Sequence, residues 1–129
     1  MRNLLIDTNI YAHALSGDSE VVSILQKANQ IGVCPVTIGE LLSGFKGGSR
    51  ERQNIEELGE FLDSPRVLIY PINEETAEFY AEILNNLKAA GKPIPTNDMW
   101  IAAVAFHHGL NLFSKDQHFK QIPGLMLIP

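Results

Sequence analysis

Asn3-Leu4-Leu5-Ile6-Asp7-Thr8-Asn9-Ile10 contains three apolar residues in a row, with no polar alternation, and the run stops at an acid. An unbroken apolar run of this length reads as a strand buried on both faces. Asp7 reads as the cap of a helix that starts at once and stops at Ser16-Gly17. A strand covered on both sides belongs to a parallel sheet between two layers of helices.

The rest of the chain supplies the parts of such a sheet. Asp18 or Ser19 opens a helix with Val21, Val22, Leu25 and Ala28 on its apolar face, ended by Gly32. Val33 to Val36 is a second strand, and Thr37-Ile38-Gly39-Glu40 has the spacing of a capping box that starts a third helix. Arg50 to Leu62 is helical, Val67 to Ile72 a strand, and Asn73 to Ala90 the longest helix, stopped by Gly91. Pro93-Ile94-Pro95 is a rigid connector. Asn97 to His108 is an almost wholly apolar helix and therefore buried. Leu110 to Phe113 is a fourth strand, Asp116 to Phe119 a helical turn, and Leu125 to Ile128 a fifth strand. Strands alternating with helices give an α/β fold: a three-layer α/β/α sandwich around a five-stranded parallel sheet, as one domain over 1–129. No internal repeat or low-complexity tract interrupts it.

Composition sets limits. With 129 residues and 45% hydrophobic content the chain can bury a core. No apolar run approaches the roughly 20 residues of a membrane span, and Arg2-Asn3 ahead of a short run broken by Asp7 is unlike a signal peptide. The single Cys34 excludes a disulfide framework and suits a reducing cytoplasm as a small buried residue. A net charge of −5 argues against strong non-specific binding of long nucleic acid. Much of that charge sits in two runs, Glu51–Asp63 and Glu74–Glu82, which read as solvated helix faces.

Ligands in open parallel sheets bind beyond the carboxyl ends of the strands. Asp7 follows the first strand, Glu40 lies in the helix after the second, Asp98 in the first turn of the buried helix, and Asp116 just after the fourth strand. Acids spaced 33, 58 and 18 residues apart then meet at one rim. Each is also a plausible cap or first-turn acid. Together they repel, a cost that a divalent cation removes, and an all-oxygen site suits Mg²⁺ or Mn²⁺.

The motifs themselves carry a resemblance. Leu4-Leu5-Ile6-Asp7-Thr8-Asn9-Ile10, Ile38-Gly39-Glu40-Leu41, Pro95-Thr96-Asn97-Asp98-Met99-Trp100-Ile101-Ala102-Ala103 and Leu112-Phe113-Ser114-Lys115-Asp116-Gln117-His118-Phe119, in that order, resemble the four motifs of PIN-domain ribonucleases. The likeness is closest to VapC-type toxins of toxin–antitoxin pairs. It implies a Mg²⁺- or Mn²⁺-dependent endoribonuclease, an antitoxin partner and a homodimer. It implies Asp7 and Asp98 as principal metal ligands, with Glu40 and Asp116 completing the catalytic pocket. Asn9, Ser114, Thr8 and Thr96 are polar neighbours placed to hydrogen-bond the carboxylates, although Thr96 also reads as an N-cap. A PIN domain that matures RNA without an antitoxin is the alternative.

Other features are read against that expectation. Lys46 to Arg52 is the one local basic cluster, either an RNA-backbone contact or a solvated loop, and Lys115 is a candidate phosphate neighbour. His107 and His108 diverge by about 100° on a helix, which does not suit a shared ion; His118 is likewise read outside the ligand set. Trp100 and Phe106 read as core. The helices at Arg50–Leu62 and Asn73–Ala90 are apolar enough for an interface or for ordinary packing. A haloacid-dehalogenase-type phosphatase needs a second Asp where Asn9 stands. A receiver domain needs an acceptor Asp after the third strand, where the chain reads Tyr70-Pro71-Ile72-Asn73.

Overall fold

The computed structural model describes residues 3–129. Along the chain run β1 (Asn3–Ile6), α1 (Thr8–Leu15), α2 (Ser19–Lys27), β2 (Gln30–Val33), α3 (Pro35–Phe45), α4 (Glu51–Asp63), β3 (Val67–Ile69), α5 (Glu74–Ala90), α6 (Thr96–His108) and β4 (Asn111–Phe113). The sheet order is β3-β2-β1-β4, with every pair parallel.

Successive residues of β1 point to opposite faces, and each face meets its own helical layer. Leu4 and Ile6 join Val33 and Phe113 against α1, α2, α3 and α4, through Ile10, Val21, Leu41 and Leu58. Leu5 and Leu112 pack instead on α5 and α6, through Ile83, Leu87 and Ile101–Ala105. The three-layer sandwich is therefore observed, and the unalternating run in β1 follows from burial on both sides. Met99 and Ile101 to Ala105 of α6 are all buried, which explains that helix's unbroken apolar sequence. Cys34 is buried and free.

Three local expectations change. The fifth strand is reduced to one bridge: the Leu112 N–H donates to Met126 O (2.8 Å) and the Ile128 N–H to Leu112 O (2.9 Å). Backbone groups alternate sides along a strand, so three-residue β4 offers only Leu112 to its outer edge. The second strand comes earlier, because Pro35, with φ already near helical values, starts α3 at its first turn. Thr37 therefore lies inside that helix, fully buried and 3.8 Å from the Cys34 sulfur, rather than capping it. Glu40 is thereby released from capping. Finally, β3 stops at Ile69, two residues before Pro71, which has no N–H for the ladder.

Interactions distant in sequence fix the edges of the sheet. The Arg66 guanidinium donates to Leu25 O (2.7 Å) and Ala28 O, closing the negative end of α2. The apolar side of α5 is largely covered by α6, with Tyr80 stacked on Trp100 at 4.0 Å. Large apolar side chains remain exposed elsewhere, among them Leu15, Ile55, Leu68 and Ile69. Among the described residues no helix is long and apolar enough to cross a membrane.

Gly32 marks the tightest approach in the sheet. A Cβ there would lie 2.7 Å from the Tyr70 ring and 2.9 Å from the Leu4 carbonyl oxygen. Gly32→Ala is expected to destabilise the protein by about 1–3 kcal/mol. Urea unfolding measures this, and an unchanged midpoint would show that the ring and strand give way freely.

Candidate active site

The sheet order creates the cleft. From β1 the chain goes outward to β2 and β3, then returns to the opposite side of β1 as β4. Connections leaving β1 and β4 diverge at that switch point and open a crevice at their carboxyl ends. The crevice has a volume of about 420 Å³, and its walls carry Asp7, Glu40, Asp98 and Asp116 together with Thr8, Asn9, Thr96, Asn97 and His118. All four acids named from the sequence thus share one cleft.

Asp7 is the deepest, only 5% exposed. Its Oδ1 accepts from the Ile10 N–H at 3.0 Å, capping α1, and its Oδ2 accepts from the Ser114 hydroxyl. Ser114 Oγ in turn accepts from the Asp116 N–H at 2.9 Å, tying the exits of β1 and β4 together. Burial pushes the Asp7 carboxyl above the ordinary Asp range. The bonds from Ser114 and Ile10 oppose that shift, and the charges of Asp116 and Glu40 add to it.

Glu40 is held at both oxygens: Thr8 Oγ1 donates to Oε1 at 2.5 Å and Asn97 Nδ2 donates to Oε2 at 3.2 Å. Asp98 stands in the first turn of α6, at the positive end of the helix. Burial raises its pKa too, against the hydrogen bond from His118, with Asp116 adding to the rise. Asp116 caps a short 3₁₀ turn, Gln117–Gln121, through the His118 N–H at 2.9 Å. That turn swings the His118 ring back, so that Nδ1 lies 3.0 Å from Asp98 Oδ2 and 3.1 Å from Asp116 Oδ1.

Of the polar neighbours expected from sequence, Thr8 and Ser114 bond the carboxylates, whereas Asn9 and Thr96 line the cleft without doing so. Thr96 is not a cap either; Pro95 precedes the helix with no side-chain bond. Asn97 and His118 were not expected in the site. The signals were Asn97's place beside Asp98 and the short return of a capped turn after Asp116. Lys115 turns the other way, to Asp18 (3.4 Å) and Glu20 (3.6 Å) at the acidic start of α2. It does not line the cleft. His107 bonds Thr76 (2.8 Å) and Glu75 (3.3 Å) at the far end of α6. The basic segment Lys46–Arg52 is exposed, apart from half-buried Glu51, and runs from the end of α3 into the first turn of α4. A shallow groove along Val36, Gly39, Ser43 and Gly44 leads from Glu40 and Asn97 in the direction of that segment.

Among the described residues no lysine or arginine lines the cleft. Four carboxylates line the cleft, and donor atoms of Asp98, Asp116 and His118 lie within 4.8 Å of one another, a spacing that fits a divalent cation whose charge would offset the acids' repulsion.

Residues 4–125 match the family model of the PIN domain. Over 128 residues the chain is 33% identical to Ribonuclease VapC1 of Rickettsia felis, covering 97% of this chain and 94% of that protein. It is 32% identical over 97 residues to Ribonuclease VapC4 of Mycobacterium tuberculosis, 75% of each chain. Its fold is similar to a crystal structure of VapBC2 from Rickettsia felis bound to a DNA fragment from their promoter. The TM-score there is 0.87 at 27% identity, over 98% of this chain and 97% of that one.

The raised pKa values of Asp7 and Asp98 have a consequence for the metal-free protein. Between the ordinary Asp range and the raised values the folded state holds protons that the unfolded chain has released. Stability is therefore full below about pH 4 as far as these groups decide it, and falls as pH rises through their folded pKa values. Asp7→Asn removes the charge yet keeps an oxygen for the Ile10 N–H. It is expected to flatten the loss and to be more stable than wild type at neutral pH in chelator. Asp7→Ala also loses the cap, at about 1 kcal/mol. Thermal melts across pH check both, and an Asn variant weaker than wild type at every pH would contradict the electrostatic reading.

Proposed function

This chain belongs to the PIN domain family, and on that premise we propose that it is a Mg²⁺- or Mn²⁺-dependent endoribonuclease, a single PIN domain that serves as the toxin of a toxin–antitoxin pair. The observation that carries the reading is the convergence of four carboxylates, with no balancing lysine or arginine among the described residues, at the switch point of a parallel sheet. Support comes from curated relatives named ribonucleases and from likeness in fold to VapBC2 and to a toxin-antitoxin complex from Klebsiella pneumoniae. RNA is accordingly the substrate and a cognate antitoxin the partner. A homodimer and a cytoplasmic location complete the proposal.

When bound, the cation supplies Lewis acidity at the phosphodiester and lowers the pKa of attacking water. Asp7 and Asp98 would hold it. Asp7 is oriented for this by Ser114 and by the α1 N-terminus, and Asp98 by its place in the first turn of α6. Glu40, fixed by Thr8 and Asn97, would orient the nucleophilic water and accept its proton, and Asp116, fixed by its own turn, completes the acidic pocket. With water as the nucleophile, the ribose 2′-OH is spared and the product carries a 5′-phosphate. The groove along α3 leads the RNA strand away from the acids and toward Lys46–Arg52, where phosphate charge meets cations.

Asp98→Asn should keep the fold and remove several kcal/mol of transition-state stabilisation, about 100-fold or more in RNA cleavage. Excess chelator should do the same to the wild type. Cleavage assays with end-group analysis of the product test this; activity that survives either treatment, or 2′,3′-cyclic ends, would overturn the mechanism. Expression without antitoxin is expected to arrest growth, and expression of Asp98→Asn is not. Harmless expression of folded, active wild type would move the protein from toxin to RNA maturation.

A further inference from the structure

We infer that His118 is itself a ligand of the cation, through Nδ1, making this a mixed nitrogen–oxygen site that selects Mn²⁺ over Mg²⁺. The inference rests on the reading of the cleft as a cation site and goes further, to the donor set and the metal preference. Asp98, Asp116 and His118 each offer one donor atom, and these atoms all lie within 4.8 Å of one another. The two edges from Nδ1 measure 3.0 and 3.1 Å. Adjacent ligands of an octahedral ion with bonds of about 2.1 Å lie about 3.0 Å apart, so both edges already have the required length.

A hydrogen bond spans the same distance, and the number of acceptors distinguishes the two cases. Nδ1 hydrogen-bonds Asp98 Oδ2 alone, whereas Asp116 Oδ1, on the turn after β4, lies as near at 3.1 Å without a hydrogen bond to account for it. A divalent cation between them takes a lone pair from all three. The ring is also not placed by core packing, since the His118 side chain is 43% exposed. The Asp116 cap on the His118 N–H positions it.

The donor chemistry sets the preference. Mg²⁺ favours oxygen ligands and water, whereas imidazole raises the affinity of transition ions more than that of Mg²⁺. A cleft of carboxylates alone would discriminate less. His118 thus tunes which ion the site holds, while the carboxylates provide the charge.

Electron-spin-echo spectroscopy of the intact protein loaded with Mn²⁺ reads the bond directly, through ¹⁴N modulation from a coordinated imidazole. The wild type should show it, and His118→Gln, still binding Mn²⁺, should not. In parallel, metal-dependent melting shifts should show Mn²⁺ affinity falling at least about ten-fold in His118→Gln, with Mg²⁺ affinity changing far less. His118→Asn serves if the Gln variant folds poorly, and His107→Gln is the control for a nitrogen from elsewhere. Bound Mn²⁺ without nitrogen modulation in the wild type, or modulation lost only in His107→Gln, would overturn the role of His118 and leave the carboxylate site standing. Absence of saturable Mn²⁺ binding in the wild type would overturn both.

Discussion

A carboxylate at the end of the central strand, 5% exposed and flanked by like charges, is the constraint on which the rest of this structure depends. Burial alone makes its ionised form costly, and Asp116 and Glu40 add to that cost. The surroundings reduce it without cancelling it: the α1 N-terminus donates one N–H to Asp7 and Ser114 donates a hydroxyl. Those same bonds fix where α1 starts and how the chain leaves β4. The electrostatic strain and the local fold are thus one arrangement, and the remaining charge is left facing an open cleft where a cation can meet it.

Topology determines why the charges collect there. Because β1 has β2 on one side and β4 on the other, the residues after β1 and β4 border the same crevice although they are over a hundred residues apart in sequence. The buried helix α6 covers one face with its N-terminus at this end, which brings Asp98 and Asn97 to the crevice. Helix α3 brings Glu40 from the other layer. Three layers of structure each contribute an acid or its support, so the site is only as well ordered as the packing between them. Gly32, where strand and Tyr70 approach too closely for a Cβ, shows how tight that packing is.

Asp7 and Asp116 are legible in the sequence because one directly follows an apolar run and the other stands three residues beyond one, and near a strand's end a side chain's position follows from its neighbours. The sequence places Glu40 at the rim through a capping box that the structure does not form; Pro35 starts α3 three residues earlier than that box would, and Glu40 is held by Thr8 and Asn97. The partners of Asn97 and His118 lie 57 and 20 residues away, and no local pattern encodes such contacts. Lys115 was misread for the same reason, since the acids that draw it, Asp18 and Glu20, belong to a helix almost a hundred positions earlier. Strand count failed at the last element because hydrophobicity marks a segment's burial, whereas pairing depends on how many backbone groups its neighbour presents, and β4 presents one residue.

Crystals soaked in Mn²⁺ and measured at a wavelength where manganese scatters anomalously would locate the cation without reference to activity. The account predicts an anomalous peak in the cleft, about 2.1 Å from carboxylate oxygens of Asp7 and Asp98, in crystals of the wild type and not in those of Asp98→Asn. A cleft without a peak at saturating Mn²⁺, or a peak that persists unmoved in the variant, would contradict the claim that these converging acids form a cation site.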